Sequence, residues 1–410
     1  MCMSRLCDYF SVGCLVNFTL AKVFRAFWVY FSVSLSFGCV SNLSGDSSYS
    51  SHLLPIPEAN TELFRIESIE VPSIDSISNL TSEQLAELKN FIKKNDISIL
   101  SPRDQVFEFV SRKMQHFNYE GKTYTASEAL RVQSGNCMSL ALLTYAVAKQ
   151  LNVKASFQVI HASPLLINIE NDLVVSSDHV RVFLSDQEFK GHYLSGGQYT
   201  MVDYFPDTND RAGALISEQE FLAMFYRNLA AEALLVNDFN YAYAMLQYGF
   251  VLSQQYPPII NMLAVLHRRL GDFETAEKFY NYGLSIAESR VVLLSNYRQL
   301  LLQRGDEQGV IQIDKQLLVL NDSTPYDWYS LGAEALKTSD YEKAQAYFKK
   351  FIENTPYFHH AYYELAKAQF ALGNINAAKK SINTAIELAA LPENQQKYNA
   401  KLKWLTTHAN

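Results

Sequence analysis

Apolar positions along the first half of the chain change period partway through. Leu85, Leu88, Phe91 and Ile92 recur at helical spacing behind Thr81, which forms a capping box with Gln84 three residues on. Ser101-Pro102 opens a second helix, with Val106, Phe107, Val110, Met114 and Phe117 on its apolar side. Ser127 to Val132 reads as a short helix, and Ser134-Gly135-Asn136 as a break. Cys137 to Leu151 is a nearly all-apolar helix, which predicts burial on most sides. The texture then changes. Ala155 to Ile160, Leu165 to Ile169, Leu173 to Ser176, His179 to Leu184 and Tyr199 to Phe205 are short β-rich runs between polar breaks, the pattern of an antiparallel sheet. Residues 61–215 therefore predict an α+β domain, helices first and sheet second.

From about residue 217 a repeat takes over. Ala242, Ala276, Val310, Ala344 and Ala378 stand 34 residues apart. Asn237, Gly271, Gly305, Ser339 and Gly373 precede them by five positions, and Phe239, Phe273, Glu307, Tyr341 and Ile375 by three. Leu229, Leu263, Tyr297, Leu331 and Leu365 keep the same register. Small residues let paired helices approach, and Gly or Asn between helices permits a left-handed backbone. The pattern resembles the tetratricopeptide (TPR) repeat, an all-α solenoid. Five units fill 216–392, and 393–410 reads as a capping helix. The fourth unit, with Trp328, Leu331, Gly332, Tyr341, Ala344, Phe348 and Pro356, fits best. The third is degenerate, with Glu307, Val310 and Asp314 at positions that are usually apolar or small.

The chain of 410 residues is long enough for two or three domains, and 48% hydrophobic with 19% charged residues excludes a disordered chain. A net charge of −7 with no long Lys/Arg run speaks against nucleic acid as a partner. Residues 1–38 have the form of a leader. Arg5, Lys22 and Arg25 lie in or beside it, and Ala26 to Phe37 has the length of a signal-peptide core. Gly38-Cys39 follows and resembles the lipobox of bacterial lipoproteins, which implies lipidation of Cys39. Residues 39–60 begin with a Ser-rich tract and read as a tether. The expected location is the bacterial cell envelope, with the chain exported and held on the periplasmic face of a membrane.

The five cysteines are Cys2, Cys7, Cys14, Cys39 and Cys137, so the folded body keeps one thiol, with no disulfide partner and no CxxC zinc motif. Cys137 opens a buried helix after Gly-Asn. Free N–H groups and partial positive charge there favour thiolate and could hold an oxyanion. A nucleophilic thiol needs a base and an orienter. His179 begins the strand DHVRVFL, and Asp203 lies in the next strong strand, TMVDYF. Adjacent antiparallel strands would set the two side by side, facing the start of the Cys137 helix. His161 is the rival base. Asp178, next to His179 in the strand, points to the opposite face.

The order Cys, His, Asp, with GNCMSLALL, DHVRVFL and VDYFP, resembles the transglutaminase-like superfamily of papain-like fold over roughly residues 85–210. The resemblance implies Cys137 as nucleophile, His179 as general base and acid, and Asp203 as orienter. Gln133 is a candidate second oxyanion donor. Met138 and Ser139 depart from the residues that well-studied members carry after the Cys. An enzyme of this kind would form a thioester on a peptide or protein amide and pass it to water or an amine, with no metal or organic cofactor. The other reading is a catalytically silent TPR scaffold. Under both readings a protein or peptide partner lies in the repeat groove.

Overall fold

The computed structural model describes residues 54–161, 165–168, 173–175, 179–185, 199–204, 210–320, 326–389 and 392–408. All belong to one compact unit, His52–Asn410. The leader, Cys39 and Asp178 lie outside the described residues.

The first described stretch, to about Val71, is mostly extended. It is laid along the repeat region. Phe64 stacks on Tyr243 at 3.8 Å, the Arg65 N–H donates to Asn240 Oδ1 at 3.0 Å, and the Tyr226 hydroxyl donates to the Pro72 carbonyl at 2.8 Å. Six helices follow: α1 (Ile74–Ser78), α2 (Ser82–Ile92), α3 (Asn95–Ser98), α4 (Pro102–Met114), α5 (Ala126–Val132) and α6 (Cys137–Gln150). The Thr81/Gln84 capping box and the Ser101 cap start α2 and α4, and a Thr125/Glu128 box starts α5. Short strands β1 (Asn118–Tyr119) and β2 (Ser134–Gly135) pair in parallel.

The sheet comprises β3 (Lys154–His161), β6 (His179–Ser185), β7 (Tyr199–Val202) and β8 (Arg211–Ile216), all antiparallel in the order β7-β6-β3-β8. A separate hairpin, β4 (Leu165–Asn168) and β5 (Leu173–Val175), lies between β3 and β6 in sequence. Strand alternation sorts the sheet residues. Phe157, Val180, Val182, Leu184 and Val202 join α6 in the core, while His179, Arg181, Phe183 and Ile160 take the other face. Within that core Phe157 stacks on Phe221 at 3.8 Å, and Tyr145 of α6 meets both rings edge-on.

Phe221 belongs to α7 (Glu218–Leu235), the first of five helix pairs. The pairs are α7 with α8 (Phe239–Leu252), α9 (Pro257–Arg269) with α10 (Phe273–Ile286), α11 (Val291–Arg304) with α12 (Glu307–Val319), α13 (Tyr326–Lys337) with α14 (Tyr341–Asn354), and α15 (His359–Ala371) with α16 (Ile375–Leu388). A last helix, α17 (Pro392–His408), covers α16. The second helices start on the five residues noted above, 34 positions apart. Before each stands a residue of positive φ: Asn237 (59°), Gly271 (80°), Gly305 (73°), Ser339 (62°) and Gly373 (77°).

The next residue serves both helices. The N–H groups of Asp238, Asp272, Asp306, Asp340 and Asn374 donate back five residues to Ala233, His267, Leu301, Ala335 and Gln369, closing the first helix. The four aspartates then cap the second helix by accepting from the N–H three residues on.

Candidate functional site

Cys137 is the first residue of α6. Gly135 reaches it with φ 145°, and a Cβ there would meet the Ser139 Cβ at 2.8 Å, which accounts for glycine in the break. Asn136 caps the helix by accepting the Ser139 N–H at 3.0 Å and donates to Thr123 Oγ1 at 2.7 Å. The cap therefore takes one of the free N–H groups that a thiolate would want.

Burial pushes the Cys137 thiol up to about 11, although the Met138 N–H, the Arg227 charge and the Tyr119 hydroxyl all pull it down. The helix start was expected to make this thiol acidic. Here desolvation, which penalises the charged form, outweighs the helix end. Tyr119 is hydrogen-bonded to the sulfur and is itself pushed up to about 12, chiefly by burial.

His179 and Asp203 do meet, with Nε2 of His179 3.1 Å from Oδ1 of Asp203. The register explains it. Val182 pairs with Val202, so continuing one residue sets Asp203 opposite Arg181 and diagonal to His179. Arg181 takes the other carboxylate oxygen through Nε at 2.8 Å and Nη2 at 2.6 Å. Burial alone would raise the Asp203 carboxyl. The His179 and Arg181 hydrogen bonds outweigh it and hold the group below its ordinary value.

No hydrogen bond among the described residues joins Cys137 to His179, while the buried Tyr204 feels the charges of both Cys137 and Asp203. The neighbours of His179 that face α6 are valines, and His179 itself takes the opposite face. His161 neighbours Ile160 in β3 and so takes the face opposite His179; its ring lies over Gly213 of β8. Gln133 ends α5 in the left-handed region, φ 52°, and its carbonyl accepts the Asn118 N–H at 2.8 Å. Among the described residues, those that could hold a metal are His179, Asp203 and Asp210, whose ligand atoms lie within 4.8 Å of one another. The Arg181 guanidinium on Asp203 already supplies positive charge there.

The repeat region offers a different kind of site. The first helices of successive pairs lie side by side, marked by the Asn296 Nδ2 donating to Asn261 Oδ1 at 3.2 Å across α11 and α9. In the fourth pair a small residue of the first helix, Gly332, faces a large one of the second, Phe348. At the same two repeat positions the first, second and fifth pairs carry Ala230 and Leu246, Ala264 and Tyr280, and Ala366 and Ile382, all buried. A Cβ on Gly332 would lie 2.8 Å from the Phe348 ring. The third pair puts Arg298 and Asp314 in the same two places, bonded at 2.6 Å. Lys343 Nζ lies 2.9 Å from Asp314, and Glu334 takes the other side of Arg298 at 2.8 Å. The degenerate third unit thus sets an ion pair at the two positions where the other units carry a small and a large apolar residue.

A tetratricopeptide repeat model matches residues 257–290, 328–358 and 359–390, the second, fourth and fifth pairs. The carboxy-terminal region is built of TPR repeats. Protein FlbA of Caulobacter vibrioides is 24% identical over 202 residues, which are 49% of this chain and 34% of that protein. The chain thus spans about a third of the length of that relative. Among solved structures, MamA protein is 18% identical, covering 43% of this chain and 94% of its own, with a TM-score of 0.30. PilW, described as a widely conserved type IV pilus biogenesis factor, is 16% identical over 46% of this chain and 94% of its own, with a TM-score of 0.31. YrrB, described as a TPR protein with an unusual peptide-binding site, is 15% identical over 43% and 92%, with a TM-score of 0.29.

Sequence reasoning passed over Arg181, Tyr119, Asp210 and the strand β8. The i, i+2 spacing of His179 and Arg181 was the available signal for Arg181. It also passed over the aspartate column 238, 272, 306 and 340, which the 34-residue period displays as plainly as the alanines.

Proposed function

We propose that the chain is a protein-binding scaffold whose TPR repeats hold a peptide or protein partner. The observation that carries this reading is the run of five helix pairs in one phase, with α9 and α11 side by side, an arrangement that presents a continuous surface to a partner. Quantitative co-purification tests it, comparing the intact chain with a Met262→Glu, Asn296→Glu variant of unchanged helical content. A partner retained by the first and lost by the second supports the reading. Identical partner sets from both contradict it.

A second reading, a thioester-forming hydrolase or acyltransferase resembling transglutaminases and acting on a peptide or protein amide, draws support from the His179–Asp203 pair at 3.1 Å. It further requires Cys137 to be activated by His179, which the pH dependence of thiol alkylation reads directly. The location proposed for the scaffold is the bacterial envelope membrane, through lipid on Cys39 or the leader, on the strength of Ala26 to Phe37 and Gly38-Cys39. Loss of palmitate label in Cys39→Ser tests the lipid form.

A further inference from the structure

The last helix of the chain is held by few side chains. Along α17 the buried residues are Tyr398 and Leu405, with Leu402 packed beside them. Gln395 Nε2 donates to the Ala389 carbonyl at 2.7 Å, and Trp404 meets Phe370 edge-on at 5.4 Å. What these residues cover is the apolar face of the last repeat, Tyr363, Ala366, Ala378, Ile382 and Ala385.

The polar centre of this contact is a three-ring cluster. Nδ1 of His359 lies 2.9 Å from the Tyr398 hydroxyl, and Nδ1 of His360 lies 3.1 Å from the same hydroxyl. The two imidazole rings are 4.3 Å apart. A hydroxyl carries one proton, so it donates to one ring nitrogen while the other ring donates to its oxygen. With both rings neutral the hydroxyl and the two Nδ1 atoms are satisfied. A proton added to the accepting ring removes the acceptor that the Tyr398 hydroxyl uses. It also places a cation in a half-buried site against a second ring. Lys397 of α17 and Lys367 of α15 bear on His360 with the same sign. Glu364 is held by Lys367 at 2.7 Å, while the Tyr363 ring lies under both lysines.

We propose that His359, His360 and Tyr398 form an acid-sensitive latch, which holds α17 on the last repeat at neutral pH and releases it in mildly acidic solution. Burial, with His359, Lys397 and Lys367 adding to it, lowers His360 to about 4, and burial lowers His359 as well. A histidine held below its unfolded value of about 6.5 stabilises the docked state above that value and ceases to do so as the pH falls towards the folded value. From His360 alone, the opening equilibrium of α17 rises on the order of 20-fold between pH 7 and pH 5.

Hydrogen exchange of the whole chain at the two pH values reads this locally, with α10 amides as the reference and intrinsic rates corrected. The expected result is a loss of α17 protection of that size, abolished in the His359→Gln, His360→Gln variant. Protection of α17 that changes less than twofold between pH 7 and pH 5, or falls equally in the double Gln variant, overturns the proposal.

Discussion

The two halves of this chain satisfy their polar groups by different means. In the TPR region the work is local and recurs. One aspartate closes a helix with its N–H and caps the next with its carboxylate, and the same bonds return every 34 residues. In the α+β region the bonds span sequence. Thr123 N–H reaches Glu232, Tyr145 reaches Glu218, and His179 and Arg181 reach Asp203. Local closure tolerates a broken unit, since the third repeat keeps its helices while carrying ions at two positions that are apolar in the other units. Long-range closure has no spare copy.

That contrast is broken most strongly at the third repeat. Asp314→Ala leaves the Arg298 and Lys343 charges without their buried carboxylate and should cost about 3 kcal/mol in denaturant unfolding. Arg298→Ala with Asp314→Phe restores the small and large apolar residues of the other repeats and should unfold within about 1 kcal/mol of the parent, or later. A double variant as unstable as the single one would show that the slot is specific to ions.

In the α+β region, Arg181→Ala leaves Asp203 with His179 alone and should cost about 2 kcal/mol at pH 7. Asp203 is held below its ordinary value, so its stabilisation is full above the unfolded carboxylate range and is lost as the pH falls through the folded value. The acid limb of a stability–pH curve should therefore shrink in this variant. The smallest effects lie in the helix–helix turns. Gly271→Ala at φ 80° should cost about 1 kcal/mol, while Ser339→Gly at φ 62° should gain somewhat less than that. Thermal melting ranks the two.

How much was legible in the sequence follows the same division. The repeat phase, the turn residues and the buried alanines could be read because each rests on contacts within one helix pair. Thr81 with Gln84 and Ser101-Pro102 were legible for the same reason. The meeting of His179 and Asp203 was also readable, because two adjacent strands suffice to make it. Which sheet face His179 takes was not. That depends on Val180 and Val182 claiming the α6 side, a choice made by packing rather than by the motif. The Cys137 environment was hidden likewise. A helix start announces partial positive charge, but the desolvation that outweighs it comes from packing with residues elsewhere in sequence.

The proposal that the repeats carry the function, with desolvation keeping Cys137 a neutral thiol at pH 7, is tested most directly by the rate of iodoacetamide alkylation of Cys137 against pH. The comparison is between the intact chain and His179→Ala. The structure predicts slow reaction at pH 7, a rise only as the pH approaches about 11, and no change in the variant. A thiol that reacts fully well below pH 8, and loses that reactivity in His179→Ala, would contradict the claim and make the His179–Asp203 pair the base of an enzyme.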